Sequence, residues 1–417
     1  MNKKALSVMM AGALAVCSAG CANKTTADDV KKLTNGNYYV SEKGVAAEYN
    51  SLYFDFLGGK DVMPIGGFYG VYNSGGTIDG LEIPQMVSDK YFGLISDAGV
   101  NMVVYSRDED SATVKRTLEL GEKYGIGLFA NVNSITSFCG RQDDASKRYT
   151  AGDKMPFGVT EMTNYISAYA AYDSFLGIKG ADEPFWYQLD ALKATYDVLR
   201  EVDYGNAELY VNSLGYGGGD LTYGGWEEQI TQKQYFDKIY GEIKVPFLRM
   251  LQAGGQWNDA AQEIESVDPY PDEGELLFDV NIALCYGCKA IQYFPLVEPV
   301  HFAYAPGGTY DFDRNGIISA AGNKTRWYYY VQKANTQIKA IDHVLMNSAN
   351  IGMIVHGEKA NLLADTQADD REELIRDGKF RQLTSVSGDD CFVGCFDYNG
   401  GTALYVVNYS RKDKANV

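Results

Sequence analysis

The chain has 417 residues with 46% hydrophobic content, enough for one large domain of about 250 residues and a smaller one beside it. Its formal charge of −18 argues against binding a nucleic-acid backbone or an anionic lipid surface. The 32 Tyr, 18 Phe and 4 Trp offer flat amphipathic faces that suit sugar stacking as well as core packing.

Residues 1–21 have the pattern of an export signal. Lys3 and Lys4 give a positive start, and Ala5 to Val16 is apolar but too short to span a bilayer. Ser18-Ala19-Gly20-Cys21 then places small residues before a cysteine, which resembles a bacterial lipobox with Cys21 as the lipidated residue. The alternative is ordinary secretion with cleavage near Ala22. The expectation is therefore an exported protein, lipid-anchored to the outer face of the bacterial cytoplasmic membrane or cell surface. Residues 22–50 are polar and without period, as a tether and lead-in would be.

From residue 51 strand-like and helix-like patterns alternate. Strands are expected over 62–69, 101–106, 126–132, 175–180, 208–212, 247–252 and 290–294. Helices are expected over 84–98, 112–124, 160–173, 189–201 and 276–284, with Gly99 and Gly125 as stops after the first two. Such βα alternation predicts a parallel sheet, and the count predicts a (β/α)8 TIM barrel over 51–345. One further strand should lie within 215–244, where no clear apolar run is visible. A helix from Thr325 to about Leu345 closes this region. Beyond it the pattern changes to short alternating strands at 351–355, 381–385, 391–398 and 402–409, with Asn399-Gly400-Gly401 as a hairpin turn. Residues 346–417 thus read as a small antiparallel β-domain, sandwich-like and either minimal or truncated.

Phe175-Leu-Gly-Ile-Lys-Gly-Ala-Asp-Glu-Pro184 carries the most chemistry. Pro184 cannot donate to a sheet ladder, so the strand stops and leaves Asp182 and Glu183 at its carboxyl end, where barrels place catalytic groups. The run Asn281-Ile-Ala-Leu-Cys-Tyr-Gly-Cys-Lys-Ala-Ile-Gln-Tyr-Phe294 resembles the seventh helix and eighth strand of glycoside-hydrolase-like barrels related to clan A and β-galactosidase-type glycosidases. The run ending Asp182-Glu183-Pro184 is similar to their fourth-strand signature, and Phe247 to Gly254 to their seventh strand. The resemblance covers about residues 60–410. It implies that Glu183 is the general acid/base and that the ligand is carbohydrate. It also marks two departures: Asp182 stands where Asn is common, and no acid lies in 248–255, where the family keeps its nucleophile and this chain has Gln252.

Glycosidic hydrolysis normally uses two carboxyl groups, and Glu298, just past the last expected barrel strand, is a candidate partner alongside Asp182. Adjacent strand residues face opposite ways, so Asp182 and Glu183 project into one site only if the strand bends. Tyr69, Trp186, Trp257 and Tyr293 are candidates for sugar stacking. Asn131, Asn133, Asn212 and Gln252 are candidates for bonding hydroxyls. Cys285 and Cys288 have C-x-x-C spacing, but with three His in the chain they read as buried thiols. No cofactor, metal or nucleic-acid partner is expected. Three readings remain open at this point: a surface glycoside hydrolase, a non-catalytic glycan-binding lipoprotein on the same fold, or a purely structural surface protein.

Overall fold

The computed structural model describes residues 40–41, 44–45, 55–78, 80–105, 108–139, 149, 153–182, 189–202, 208–212, 248–254, 257–258, 263–264, 271–300, 304–305, 309–310, 315–363, 374–410 and 414–417. The export region with Cys21 lies outside them.

Seven strands form one parallel sheet: β1 (Ile65–Gly67), β2 (Met102–Val104), β3 (Gly127–Asn131), β4 (Phe175–Asp182), β5 (Glu208–Asn212), β6 (Leu248–Gln252) and β7 (Ala290–Phe294). Their spatial order is β6-β7-β1-β2-β3-β4-β5, with every neighbouring pair parallel. This is the cyclic order of a barrel opened between β5 and β6. The expected closing strand falls in 215–244, outside the described residues.

The strands are buried on both sides, which is why they read as near-continuous apolar runs. Ile65, Val103, Leu128, Leu251, Ile291 and Tyr293 face outward into the main core under the helices. Met102, Val104, Phe129, Leu176 and Met250 pack together on the inner face. That two-residue alternation defines which side chains reach the sheet interior.

Helices α1 (Asp89–Asp97), α2 (Ser111–Tyr124), α3 (Asn133–Cys139), α4 (Val159–Ser167) and α5 (Leu189–Glu201) connect the first five strands. Helix α1 starts at Asp89 rather than Pro84, because residues 76–78 and 81–83 pair as a short hairpin that the sequence did not announce. Helix α2 starts where Asp110 accepts the N–H groups of Ala112 and Thr113, and stops at Gly125 in the left-handed region (φ 70°). Helix α4 ends at Ser167, six residues earlier than its periodicity suggests, and turns fill the gap to β4.

Helices α6 (Glu273–Cys285) and α7 (Arg326–Met346) join the parallel sheet to the C-terminal region. Eight of the 13 residues of α6 are buried, because it lies between the parallel sheet and a second sheet. That second sheet is antiparallel, in the order β8 (Ser348–His356), β9 (Cys391–Tyr398), β10 (Gly401–Asn408), with Asn399 and Gly400 in the hairpin turn. A short helix, α8 (Glu358–Leu363), follows β8.

The strand expected over 381–385 is absent. Arg381 adopts φ 52°, and its guanidinium turns inward to pair with the buried Asp397 of β9 and with the Gly401 carbonyl. Cys285 and its neighbours knit the layers: Asn350 Nδ2 donates to the Cys285 carbonyl at 2.9 Å, and Tyr405 donates to Asn281 Oδ1 at 2.6 Å. The five described cysteines are buried and none is in a disulfide, so Cys285 and Cys288 are packing thiols in this structure.

Candidate functional site

The carboxyl ends of β1 and β7 are locked together beyond the strands. Phe68 N–H donates to the Tyr293 carbonyl at 2.9 Å, and the N–H groups of Leu296 and Val297 donate to the carbonyls of Phe68 and Tyr69. Gly67 is required here, since a Cβ would sit 2.2 Å from Leu296 Cδ2. Tyr69 takes a left-handed φ of 47°, a conformation that costs a non-glycine residue about 1 kcal/mol. Its half-buried ring packs against Phe68 and Phe294, both with ring centroids at 5.3 Å.

Lys179 is the residue that sequence reasoning overlooked. It lies within the quoted strand, yet it is 2% exposed, and its ammonium stands 4.7 Å from the Phe68 ring centroid. The signal was available: a lysine inside an apolar strand is rarely buried without a charged or aromatic contact. Lys179 is in register with Asn131 of β3, which is also buried and donates to Asn133 Oδ1 at 3.3 Å. Asn133 itself is exposed at the start of α3. Its backbone N–H donates to Asp108, whose carboxyl is raised above the usual value because lost hydration outweighs that bond and one from Glu109.

Strand β4 runs two residues beyond its expected end and finishes at Asp182, in register with Asn212 of β5. Its pairing with β5 slips between Lys179 and Ala181. Ile178 and Ala181 both pack in the outer cluster, so the slip inserts one extra residue between two outward positions. Position 182 then falls in the register of the inner face. Glu183 and Trp186 lie outside the described residues. For Asn212 and Trp257 the structure gives the backbone, Trp257 in a two-residue pairing with 263–264.

Gln252 ends β6 opposite Phe294, and its Nε2 donates to the Gly254 carbonyl at 2.7 Å. No carboxylate stands at this strand end, as the sequence indicated: Gln252, Ala253 and Gly254 occupy it. Gln292, on the inner face of β7, is fully buried; a Cβ on Gly66 would lie 3.3 Å from its Cγ.

Two expectations are corrected. Glu298 does not stand on an open rim. It has no exposed surface, its N–H donates to the Ile318 carbonyl at 2.8 Å, and its Oε2 accepts from Ala320 N–H at 3.2 Å. A carboxylate enclosed in this way anchors the segment 316–320 and cannot touch a ligand without that segment moving. Tyr293 points outward, away from the sheet interior. It is fully buried, and its hydroxyl donates to Asn335 Oδ1 on α7 at 2.8 Å. Burial raises its phenol well above the usual value.

No protein-family profile matches the chain, and no curated protein matches it. Solved structures do. A β-galactosidase from Bacillus circulans sp. alkalophilus is similar at 11% identity and a TM-score of 0.50, over 72% of this chain and 60% of that one. A β-galactosidase from the psychrophilic Marinomonas ef1 gives 12% identity and 0.45, over 67% and 60%. A third from Halorubrum lacusprofundi gives 12% and 0.44, over 66% and 58%. The chain therefore spans about 60% of the length of these proteins. The fold is glycoside-hydrolase-like.

Proposed function

We propose that the chain is a glycoside hydrolase acting on an oligo- or polysaccharide, exported and anchored through Cys21, with Glu183 as general acid/base. The observation that carries this reading is the end of β4. A parallel strand of a glycoside-hydrolase-like sheet finishes at Asp182, position 182 lies in the inner-face register, and Glu183 follows. The inner face beside it presents Asn131, Gln252 and the Tyr69 ring, groups suited to hydroxyls and to a sugar face.

In the reaction Glu183 gives its proton to the glycosidic oxygen as the bond from that oxygen to the anomeric carbon breaks. The positive charge left on the sugar is stabilised by ionised Asp182. Water adds to the anomeric carbon, and its proton returns to Glu183. No cofactor is needed.

A second reading has its own support. With no acid at the end of β6 and Glu298 enclosed, the chain could bind glycans without cleaving them. A hydrolysis screen of residues 22–417 on oligosaccharides, beside Glu183→Gln, separates the two. Turnover that collapses in the variant supports hydrolysis. Glycan binding by both proteins with turnover by neither supports the binding reading.

A further inference from the structure

We infer that Lys289 is a pH-sensitive latch: as a neutral amine it ties the end of α7 and the start of β8 to β7, and when it takes a proton it lets that joint open. The latch goes beyond the hydrolase reading above and does not depend on it.

Lys289 stands just before β7 and is buried. Its Nζ donates to two backbone carbonyls, those of Leu345 in the last turn of α7 and of Ser348 at the start of β8. A neutral amine has two N–H bonds, one for each carbonyl. An ammonium has three. Among the described residues no third acceptor meets Lys289, and no carboxylate pairs with it. The proton would thus bring a buried charge and an unmet donor together. The dipole of α7 favours a cation at its C-terminal end, but lost hydration outweighs it, and burial pushes Lys289 down to about 7 from 10.5.

The titratable groups around it do not offset that charge. Cys288 favours the charged form, but burial raises this thiol well above its usual value and keeps it protonated. From β6, Arg249 is a second buried cation that acts on the same thiol. At the end of α7, Asp61 accepts from Asn347 Nδ2, Asp342 accepts the N–H groups of Met63 and His343, and His343 is exposed. On the second sheet Asp397 is taken by Arg381. The joint itself is a row of residues four apart: Asn281 Oδ1 accepts from Tyr405, the Cys285 carbonyl accepts from Asn350 Nδ2, and Lys289 donates to Ser348. Burial raises both the Cys285 thiol and the Tyr405 phenol, so Lys289 is the member of this row that titrates near neutral pH. The open joint binds a proton more readily than the closed one. Opening therefore becomes easier as pH falls from 10.5 toward about 7, and levels off below that.

The test is hydrogen–deuterium exchange on the full chain at about pH 6.5 and 8.5, corrected for the chemical exchange rate at each pH. Across that range a group displaced from 10.5 to about 7 changes the opening constant by about twentyfold. Amides of 281–290 and 345–356 should exchange at least about tenfold faster at the lower pH, while those of β2 and β3 keep one rate. Lys289→Gln is neutral with two N–H bonds and should abolish the difference. Lys289→Met, also neutral, should do the same and serves if the glutamine variant does not fold. His343→Gln should retain the difference. The latch is overturned by a wild type with equal exchange at both pH values, by neutral variants that keep the difference, or by its loss in His343→Gln. Equal acceleration in β2 and β3 also overturns it, because the whole chain would then be opening rather than the joint.

Discussion

Replacing Tyr293 by Phe separates a core residue from a binding residue with the loss of one oxygen. The Tyr293 hydroxyl and Asn335 are both without exposed surface, and the hydroxyl donates to Asn335 Oδ1 at 2.8 Å. Asn335 Nδ2 donates to the Ala98 carbonyl at 2.9 Å, so this one amide ties β7, α7 and the turn after α1. Without the phenol, Oδ1 is left buried and short of that donor, while Nδ2 keeps its bond. An unmet buried acceptor costs about 1–3 kcal/mol, and relief from burying the phenol oxygen offsets part of it. The expected loss is about 1.5 kcal/mol, read as a lower urea midpoint at unchanged m-value. Glycan affinity or turnover should stay within about twofold, because the outward face of β7 does not reach the site. Undiminished stability with a tenfold loss of affinity would show that Tyr293 faces ligand and that the inner and outer faces of β7 have been assigned the wrong way round.

Three other outcomes follow from the packing. Gly394→Ala should destabilise by about 2 kcal/mol or more, because its Cβ would lie 2.3 Å from the Cys285 carbonyl oxygen, a backbone atom already fixed by Asn350; an unfolding midpoint equal to wild type would mean the two layers part more easily than their contacts imply. Lys289 is buried against the carbonyls of Leu345 and Ser348 and is pushed down by burial to about 7, from 10.5. Between those values the unfolded chain binds more protons, so stability should rise as pH increases from about 7, by up to about 1.4 kcal/mol per unit. Urea unfolding at pH 6.5 and 8.5 should show the rise in wild type and a flatter response in Lys289→Met, and parallel responses would refute the assignment. Glu298→Gln retains an acceptor for Ala320 N–H and should leave turnover within about threefold; a hundredfold loss would return Glu298 to the catalytic set.

How far the sequence reached depends on which physical signal each feature leaves. The parallel strands were legible because burial on both faces forces unbroken apolar runs, and the helices because one face must be apolar and a stop such as Gly125 ends the period. The segment 381–385 failed because its alternation is set by a turn around Arg381, whose charge is satisfied by Asp397, a partner 16 residues away. Glu298 and Tyr293 failed for a related reason. Both were assigned by their place at a strand end, and nothing local states that Ala320 or Asn335 will enclose them.

The most consequential miss is the register slip in β4. Strict alternation from Ile178 outward makes Gly180 outward and Lys179 and Ala181 inward, with Asp182 turned away from the site. The structure instead has Ile178 and Ala181 outward together. One inserted residue exchanges the faces of everything after it, so Asp182 comes into the inner register beyond Lys179. Gly180, between the two, carries no side chain that either face must accommodate, and a bulge there removes no packing. The sequence held the permissive residue but not the energetic reason to use it. That reason lies in the neighbouring strand, where Tyr210, Val211 and Asn212 pair with Lys179, Ala181 and Asp182, a contact between segments about 30 residues apart.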